Sequence, residues 1–234
     1  MRLSFIALSC LVAGAASAQI VVPGANAATE GDSNNRFPFY AGDFGPMRYQ
    51  QVYAAGEFGS GPIVISAIQF RLDADDESFS GMDTELVIRL STTAKAVDGL
   101  SSTFAENIGA DETLVVSGMQ TLSGTGGPGV NPFDINISFA TDFVYDPTMG
   151  NLLMDVTRTG GSNSAIFFDA SSSDTDAISR VYSLNSATTG TATGNDTLAL
   201  ITRFTADPVP EPATMAVLGL GALVAARRRR PRSQ

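Results

Sequence analysis

The sequence lacks residue types on which many functional sites depend. It contains no His, no Trp and one Cys, Cys10, among 234 residues. Without His, the Ser-His-Asp and Cys-His catalytic arrangements and the His-containing zinc sites are excluded. A single Cys also excludes a disulfide within the chain. Fourteen basic residues against 24 acidic ones give a net charge of −10. Nucleic-acid binding is therefore not expected, because affinity for phosphate depends on Lys and Arg.

The first 18 residues have the organisation of a secretory signal peptide. Arg2 forms the positive n-region, and Leu3–Gly14 is the apolar h-region. Ala16 and Ala18 are the small residues that precede a cleavage site, so cleavage is predicted between Ala18 and Gln19. An N-terminal membrane anchor is the alternative, but spanning a bilayer takes ~20 apolar residues and this run is shorter. The prediction is a signal helix that is removed on export.

The C-terminus combines a tripeptide, a short apolar run and an arginine cluster. Pro210-Glu211-Pro212 precedes the apolar run Met215–Ala226, and the cluster that follows consists of Arg227, Arg228, Arg229 and Arg230. As a helix the apolar run would rise ~18 Å, well short of the ~30 Å hydrocarbon core of a bilayer. It is predicted to be a marginal transmembrane helix with the Arg cluster in the cytoplasm and the acidic body outside. A permanent anchor is the alternative, which the length mismatch disfavours.

This tail, residues 208–232, resembles the PEP-CTERM sorting signal, because the tripeptide, the apolar run and the Arg cluster follow in that family's order. The resemblance implies recognition by an exosortase, a membrane-embedded transpeptidase-like enzyme, after transient insertion into the inner membrane. It also implies delivery to the cell surface or to an exopolysaccharide matrix. The same tail is also called an ice-binding protein C-terminal domain, but the body shows no repeated ranks of Thr that could bind ice.

Residues 19–207 are predicted to form an all-β domain. Apolar and polar residues alternate with period 2 in Ile68–Leu72, Leu86–Leu90, Phe133–Phe139 and Leu152–Val156. Shorter strands are predicted at Thr113–Met119, Phe143–Tyr145, Ala165–Asp169, Ser179–Ser183 and Leu198–Phe204. About nine short strands separated by Gly-rich loops are typical of a two-sheet antiparallel sandwich of jelly-roll or Greek-key type. A β-helix is the alternative, but the sequence shows no fixed repeat.

Acidic residues are concentrated in two segments of the body. The denser run follows the strand that ends at Leu72 and consists of Asp73, Asp75, Asp76 and Glu77. Carboxylate oxygens at alternating loop positions suit a hard cation, so these four residues are the candidate ligands of a calcium ion. A second, Ser-rich segment carries Asp169, Asp174 and Asp176. The alternative is that both segments are solvated acidic loops and that the protein has no cofactor.

Aromatic residues cluster near the N-terminus of the body, at Phe37, Phe39, Tyr40, Tyr49 and Tyr53. They would form either a platform for sugar stacking or part of the core. Because catalytic residue types are scarce, the sequence predicts a secreted or cell-surface protein that is not an enzyme. A carbohydrate-binding module of the extracellular matrix is the first alternative. A glycan-active hydrolase that uses paired carboxylates is the second.

Overall fold

A computed structural model describes residues 17–40, 42, 44–162 and 166–209. These residues form β-strands joined by loops, with three single turns of 3₁₀-helix at Gly24–Asn26, Ala55–Phe58 and Phe104–Glu106. The predicted β-rich body with almost no helix is therefore confirmed. The predicted signal helix and transmembrane helix lie outside the described residues. Within those residues, no helix is long and apolar enough to cross a membrane.

Thirteen strands are present in the described part of the chain. They are β1 (Ala18–Val22), β2 (Ser33–Asn35), β3 (Met47–Tyr53), β4 (Ile63–Phe70), β5 (Phe79–Thr93), β6 (Thr113–Gly124), β7 (Ile135–Tyr145), β8 (Asn151–Gly161), β9 (Phe168–Ser171), β10 (Ile178–Ser183), β11 (Gly194–Asp196), β12 (Ala199–Leu200) and β13 (Thr202–Pro208). All the pairings between them are antiparallel. The segments predicted as separate strands at 133–139 and 143–145 fall largely in one strand, β7, whereas 198–204 is divided between β12 and β13.

Eight strands of the two large sheets pair in a nested order. One sheet has the order β1-β13-β4-β7, and a second sheet has the order β11-β10-β3-β8-β5-β6. Strand β1 pairs with β13, β3 with β8, β4 with β7, and β5 with β6. In chain order these eight strands therefore pair first with last, second with seventh, third with sixth and fourth with fifth. This is the pairing of a jelly roll, in which one long hairpin is rolled into two sheets.

A third, small sheet with the order β12-β9-β2 corrects the prediction of two sheets. Its strands are four residues long or shorter, and β2 consists of Ser33, Asn34 and Asn35. So few residues show no measurable period-2 alternation, and Ser and Asn are not typical strand residues. The small sheet exists because of long-range pairing, which local sequence does not reveal.

The two large sheets share one hydrophobic core. Apolar side chains of β4 and β7, such as Ile65, Ile68 and Ile137, are buried together with Leu86 and Ile88 of β5. Across the core, the ring of Tyr53 on β3 meets that of Phe204 on β13 edge-on at 5.0 Å between centroids. A geometry of this kind adds to the free energy gained from burial. The core thus forms where the apolar faces of the alternating strands meet.

The outer face of the six-stranded sheet is also covered in part. Leu100 and Phe104 lie over Val52, Leu153 and Val181 and form a second, smaller apolar cluster. Phe104 begins the 3₁₀ turn Phe104–Glu106, within the segment 102–107 whose sequence allows one helical turn. This cover explains why β3 and β8 are buried on both faces, although both strands carry polar residues such as Gln50, Gln51 and Asp155.

The strand register defines two ends of the body. At one end Pro208 lies opposite Ile63, Ile63 lies opposite Tyr145, and Ala18 lies opposite Ala206. We call this the tail end, because the C-terminal segment leaves the sheet there. At the other end, called the far end, Phe70 lies opposite Ile135. Strand β4 has eight residues between the two ends, so they are about 25 Å apart at ~3.3 Å per residue.

Candidate functional site

The sorting segment begins without a spacer after the last strand. Strand β13 lies inside its sheet, with β1 on one side and β4 on the other. It ends at Pro208, and the next residue, Val209, still donates its N–H to the carbonyl oxygen of Pro62 at 3.0 Å. Pro210, the first residue of the predicted tripeptide, follows directly. The folded body therefore extends to within one residue of the tripeptide.

The predicted signal-cleavage site lies at the same end of the body. Ala18 and Gln19 are the first two residues of β1 and lie opposite Ala206 and Thr205. The side-chain amide of Gln19 donates to the hydroxyl of Thr205 at 3.3 Å. Cleavage between Ala18 and Gln19 would remove only the first pair of the β1–β13 ladder. Both predicted processing sites are thus attached to neighbouring strands.

The remaining predicted sorting and cleavage residues lie outside the described part of the chain. They are Ala16, Pro210, Glu211, Pro212, Arg227, Arg228, Arg229 and Arg230. Their assignment rests on the linear sequence. The structure shows where the chain enters the folded body and where it leaves it.

Three carboxyl groups meet at the far end of the body. Glu30, Asp73 and Asp169 each place a carboxylate oxygen within 4.8 Å of the others. Asp73 follows β4, and Asp169 lies in β9; the isolated bridge between Leu72 and Phe168 brings the two segments together. Glu30 comes from the loop before β2. We call these three residues the acidic cluster.

A buried arginine compensates part of this charge. Arg71 donates from Nε to Oδ2 of Asp169 at 2.6 Å, and both side chains are almost inaccessible, at 1% and 0% exposure. Arg71 also donates to the carbonyl oxygen of Thr29 at 2.6 Å, and its guanidinium lies 4.6 Å from the centroid of the Phe133 ring. Ion pairs at this depth are stable only when their remaining polar atoms are also satisfied. Arg71 therefore balances one carboxylate of the three.

The other carboxyl groups accept hydrogen bonds from the backbone or from an amide. The N–H of Ala74 donates to Oε1 of Glu30 at 2.9 Å, and Asn34 donates to Asp73 at 2.8 Å. Oε2 of Glu30 is buried and has no hydrogen-bond partner among the described residues. One oxygen of the cluster is thus left for a proton or a cation.

Burial raises the pKa of each carboxyl group in the cluster. For Glu30 the pKa rises from 4.5 to about 7, mainly through desolvation and secondly through the charge of Asp169. Desolvation also raises the pKa of Asp73, and it raises that of Asp169 in spite of the neighbouring Arg71. Near neutral pH the cluster can therefore keep a proton on Glu30 or exchange it for a hard cation.

The acidic cluster contains only one of the four predicted calcium ligands, Asp73. Asp75 is exposed, and Oδ2 of Asp76 accepts the N–H of Phe167 at 2.8 Å. Glu77 is exposed as well. The predicted ligands are neighbours in sequence, but in the described structure their carboxylates do not form one group of three or more.

The second predicted acidic segment is divided in the same way. Asp169 belongs to the acidic cluster, Asp174 is exposed, and Oδ1 of Asp176 accepts the N–H of Ile178 at 2.9 Å. Glu30 was missed by sequence reasoning, because it lies in a loop that is far in sequence from either acidic run. Only the pairing of distant strands reveals it as a neighbour of Asp73.

The predicted aromatic platform is mostly core. Phe39, Tyr49 and Tyr53 are fully buried, and Tyr40 is nearly so. The fifth residue, Phe37, is partly exposed and lines a groove together with Asn34, Asn35, Arg36, Phe44 and Phe167.

In this groove the rings of Phe37 and Phe44 meet edge-on at 4.9 Å, and the guanidinium of Arg36 lies 4.0 Å from the centroid of Phe167. A different, wider cleft of about 570 Å³ is lined by Glu30, Asp32, Glu57 and Asp176 together with small residues. Its lining, in the part of the chain that the structure describes, contains no aromatic ring. Sugar stacking would therefore fit the groove at Phe37 and not the wider cleft.

Comparison with known proteins identifies the C-terminal segment. Residues 208–230 match the family model of the PEP-CTERM protein-sorting motif. No curated protein and no solved structure matches the chain. The matched segment starts at Pro208, the last residue of β13. The chain therefore carries a PEP-CTERM sorting motif that continues directly from the last strand of an antiparallel β body.

Proposed function

We propose that this chain is an exported, non-enzymatic β-sandwich protein that an exosortase-type enzyme sorts to the cell surface or exopolysaccharide matrix. The observation that carries the proposal is the position of the sorting motif, which starts at the last residue of β13. All strands of the body precede it in sequence. The body would therefore be complete and outside the membrane when the tail is processed.

The order of charges supports this topology. Arg227–Arg230 would stay in the cytoplasm by the positive-inside rule, which leaves the body on the other side. The apolar run Met215–Ala226 is too short for a comfortable permanent span, so a transient anchor is favoured over a lasting one. The partners implied are the inner membrane and an exosortase-like transpeptidase.

The absence of His-dependent catalytic machinery from the sequence supports a non-enzymatic role. The chain has no His. A glycoside hydrolase needs two carboxyl groups that face a bound sugar. In the acidic cluster, Asp169 is 1% exposed and paired with Arg71, so it is not available to a substrate in a cleft. The wider cleft does carry the carboxyl groups of Glu30, Asp32, Glu57 and Asp176, but its described lining has no aromatic ring on which a sugar could stack, so we favour a structural or binding role over the glycan-active hydrolase.

Replacing the tripeptide tests the proposal. Pro210→Ala, Glu211→Ala and Pro212→Ala together leave the apolar run and the Arg cluster unchanged. The triple variant should accumulate uncleaved in the membrane fraction of the native host, whereas the parent should be exported without Arg227–Gln234. Thr214→Ala, a neighbouring change outside the tripeptide, is the matched control and should behave like the parent. Export and cleavage of the triple variant at the parent's rate would refute recognition of the tripeptide.

Carbohydrate binding is a second candidate, and the groove at Phe37 favours it. Its partly exposed rings offer a stacking surface, whereas the amides of Asn34 and Asn35 beside them already donate to Asp73 and to the carbonyl oxygen of Phe37. A glycan array probed with the exported protein should then show saturable binding that Phe37→Ala weakens at least tenfold. Phe139→Ala, a half-buried ring on β7, is the control and should leave binding intact. Absence of saturable binding to any arrayed glycan would leave a structural role as the proposed function.

A further inference from the structure

The tether between the body and the apolar run is short. Val209 is bonded to Pro62, and Met215 begins the apolar run six residues later. Six residues span at most about 20 Å when fully extended. The headgroup layer on one side of a bilayer takes up roughly 5–7 Å of this length. The tail end of the body must therefore lie within roughly 15 Å of the headgroup surface whenever the apolar run is inserted.

The start of β1 and the end of β13 both place the tail end of the body towards the bilayer. Ala18 lies opposite Ala206, so the signal peptide enters β1 next to the place where the tail leaves β13. A precursor that is held in the membrane at both ends would be held through two neighbouring strands. The far end, about 25 Å away along β4, would point away from the bilayer.

Apolar side chains are exposed at the tail end. Among the described residues six large apolar side chains are exposed, and three of them belong to this end: Met149 at 73%, Val144 at 62% and Val209 at 37%. Val144 lies opposite Val64 on the neighbouring strand. Met149 lies in the turn after β7, and it lines a shallow groove together with Val144. The turn and Val209 flank β4, which places them about 10 Å apart, two strand spacings.

Carboxylates are present at both ends of the body. Near Met149, the carboxylate of Asp146 accepts the N–H and the hydroxyl of Thr148, and Asp111 accepts those of Thr92. At the far end Asp75 and Glu77 are exposed. Asp207 also lies at the tail end, opposite Val64 and in the same row as Val144, so the carboxylates there favour contact with zwitterionic over anionic lipid.

We propose that, while the tail is inserted, the body rests on the lipid bilayer through its tail end, with Val144, Met149 and Val209 in the interfacial layer. This inference rests on the proposed function, because it needs the apolar run to enter the membrane. The short tether keeps the tail end close to the bilayer, and the three apolar side chains make the contact with the lipid. Release of the tail by cleavage would then release the body from the surface, since three side chains bury too little area to hold it alone.

Site-specific labelling tests the contact. In the full chain with Cys10→Ser, single cysteines would be placed at Met149→Cys and, as the matched control at the far end, at Val130→Cys, which replaces a side chain that is 46% exposed. A third variant, Leu218→Cys, reports on the apolar run. Each labelled protein would be reconstituted into phosphatidylcholine vesicles with a nitroxide on a fraction of the headgroups, and fluorescence quenching would be measured.

The label at position 149 should be quenched at least threefold more than the label at position 130, and the label at 218 should be protected from a water-soluble quencher. If 218 is protected but 149 and 130 are quenched equally, the surface contact is refuted and the proposed function stands. If 218 is open to the water-soluble quencher, the tail does not insert, and both the contact and the membrane step of the proposed function are refuted.

Discussion

The two ends of the body are built from the same strands but present opposite surfaces. The tail end exposes Met149, Val144 and Val209. Both predicted processing sites are attached to this end, one through β1 and the other through β13. The far end gathers Glu30, Asp73 and Asp169 around a single Arg71. The shared core requires apolar residues on the inner faces of the strands, whereas it does not constrain which residues stand at the strand ends. In this fold, the proposed membrane contact and the acidic cluster are therefore separated by the length of β4.

The largest effect is expected at the far end, from Arg71→Met. This change leaves the buried Asp169 without its partner beside two further carboxyl groups, which should lower the free energy of unfolding by about 3–5 kcal/mol. Urea denaturation of the exported protein measures it. Arg89→Met is the matched control, because Arg89 and Glu112 are 4.0 Å apart and more than a third exposed, and it should cost less than about 1 kcal/mol. If the two variants lost the same free energy of unfolding, burial of the Arg71–Asp169 pair would not make its loss more costly than that of an exposed pair.

A second effect at the far end depends on pH. The pKa of Glu30 is about 7 in the folded protein and 4.5 ordinarily, so the folded state binds its proton more tightly. The stability that this provides is complete below pH 4.5 and is lost as the pH rises through 7. Glu30→Gln should reduce the difference in unfolding free energy between pH 5 and pH 8 by about 1–2 kcal/mol, a figure that allows for partial exposure. An unchanged pH profile in urea denaturation would contradict the raised pKa.

At the tail end a smaller effect is expected from Tyr145→Phe. The hydroxyl of Tyr145 donates to the carbonyl oxygen of Gly150 at 2.7 Å and so holds the turn that carries Met149. Loss of this bond should cost about 1 kcal/mol. Tyr182→Phe is the control, since its hydroxyl makes no hydrogen bond among the described residues. Thermal melts of the two variants should differ by a few degrees, and identical melts would show that the turn is held by other contacts.

The smallest effect concerns calcium, whose binding stays a prediction. If the acidic cluster holds the ion, a concentration twice the dissociation constant should add about 0.6 kcal/mol to stability at pH 8. Asp73→Asn should abolish this gain, whereas Asp75→Asn, the control within the same run, should keep it. If Asp75→Asn also abolished the gain, calcium would be bound by the run of acids that the sequence predicts and not by the acidic cluster. No shift in the parent's melting temperature would leave the solvated-loop alternative in place.

The sequence predicted those parts of the fold that depend on residues close together in the chain, such as the alternation of buried and exposed side chains along a strand. Ile135 and Ile137 are buried and Asn136 is exposed, as period-2 alternation on a half-buried strand requires. The PEP-CTERM tail was likewise readable, because a linear motif needs no folded context. The small sheet and the acidic cluster were not readable, because β2, β9 and β12 are short and because Glu30 reaches Asp73 only through pairing of distant strands. Grouping acids by sequence spacing therefore found Asp73 but did not bring it together with Glu30 and Asp169.

Intact-mass spectrometry of the exported protein tests the central claim most directly, since it reads both processing sites at the tail end in one measurement. The account predicts a chain that begins at Gln19 and lacks Arg227–Gln234, with its new C-terminus between Pro210 and Ala226. The triple Ala variant of Pro210-Glu211-Pro212 should yield a membrane-bound chain that begins at Gln19 and still ends at Gln234. An exported parent that retains Arg227–Gln234 would contradict the sorting account, whatever its N-terminus.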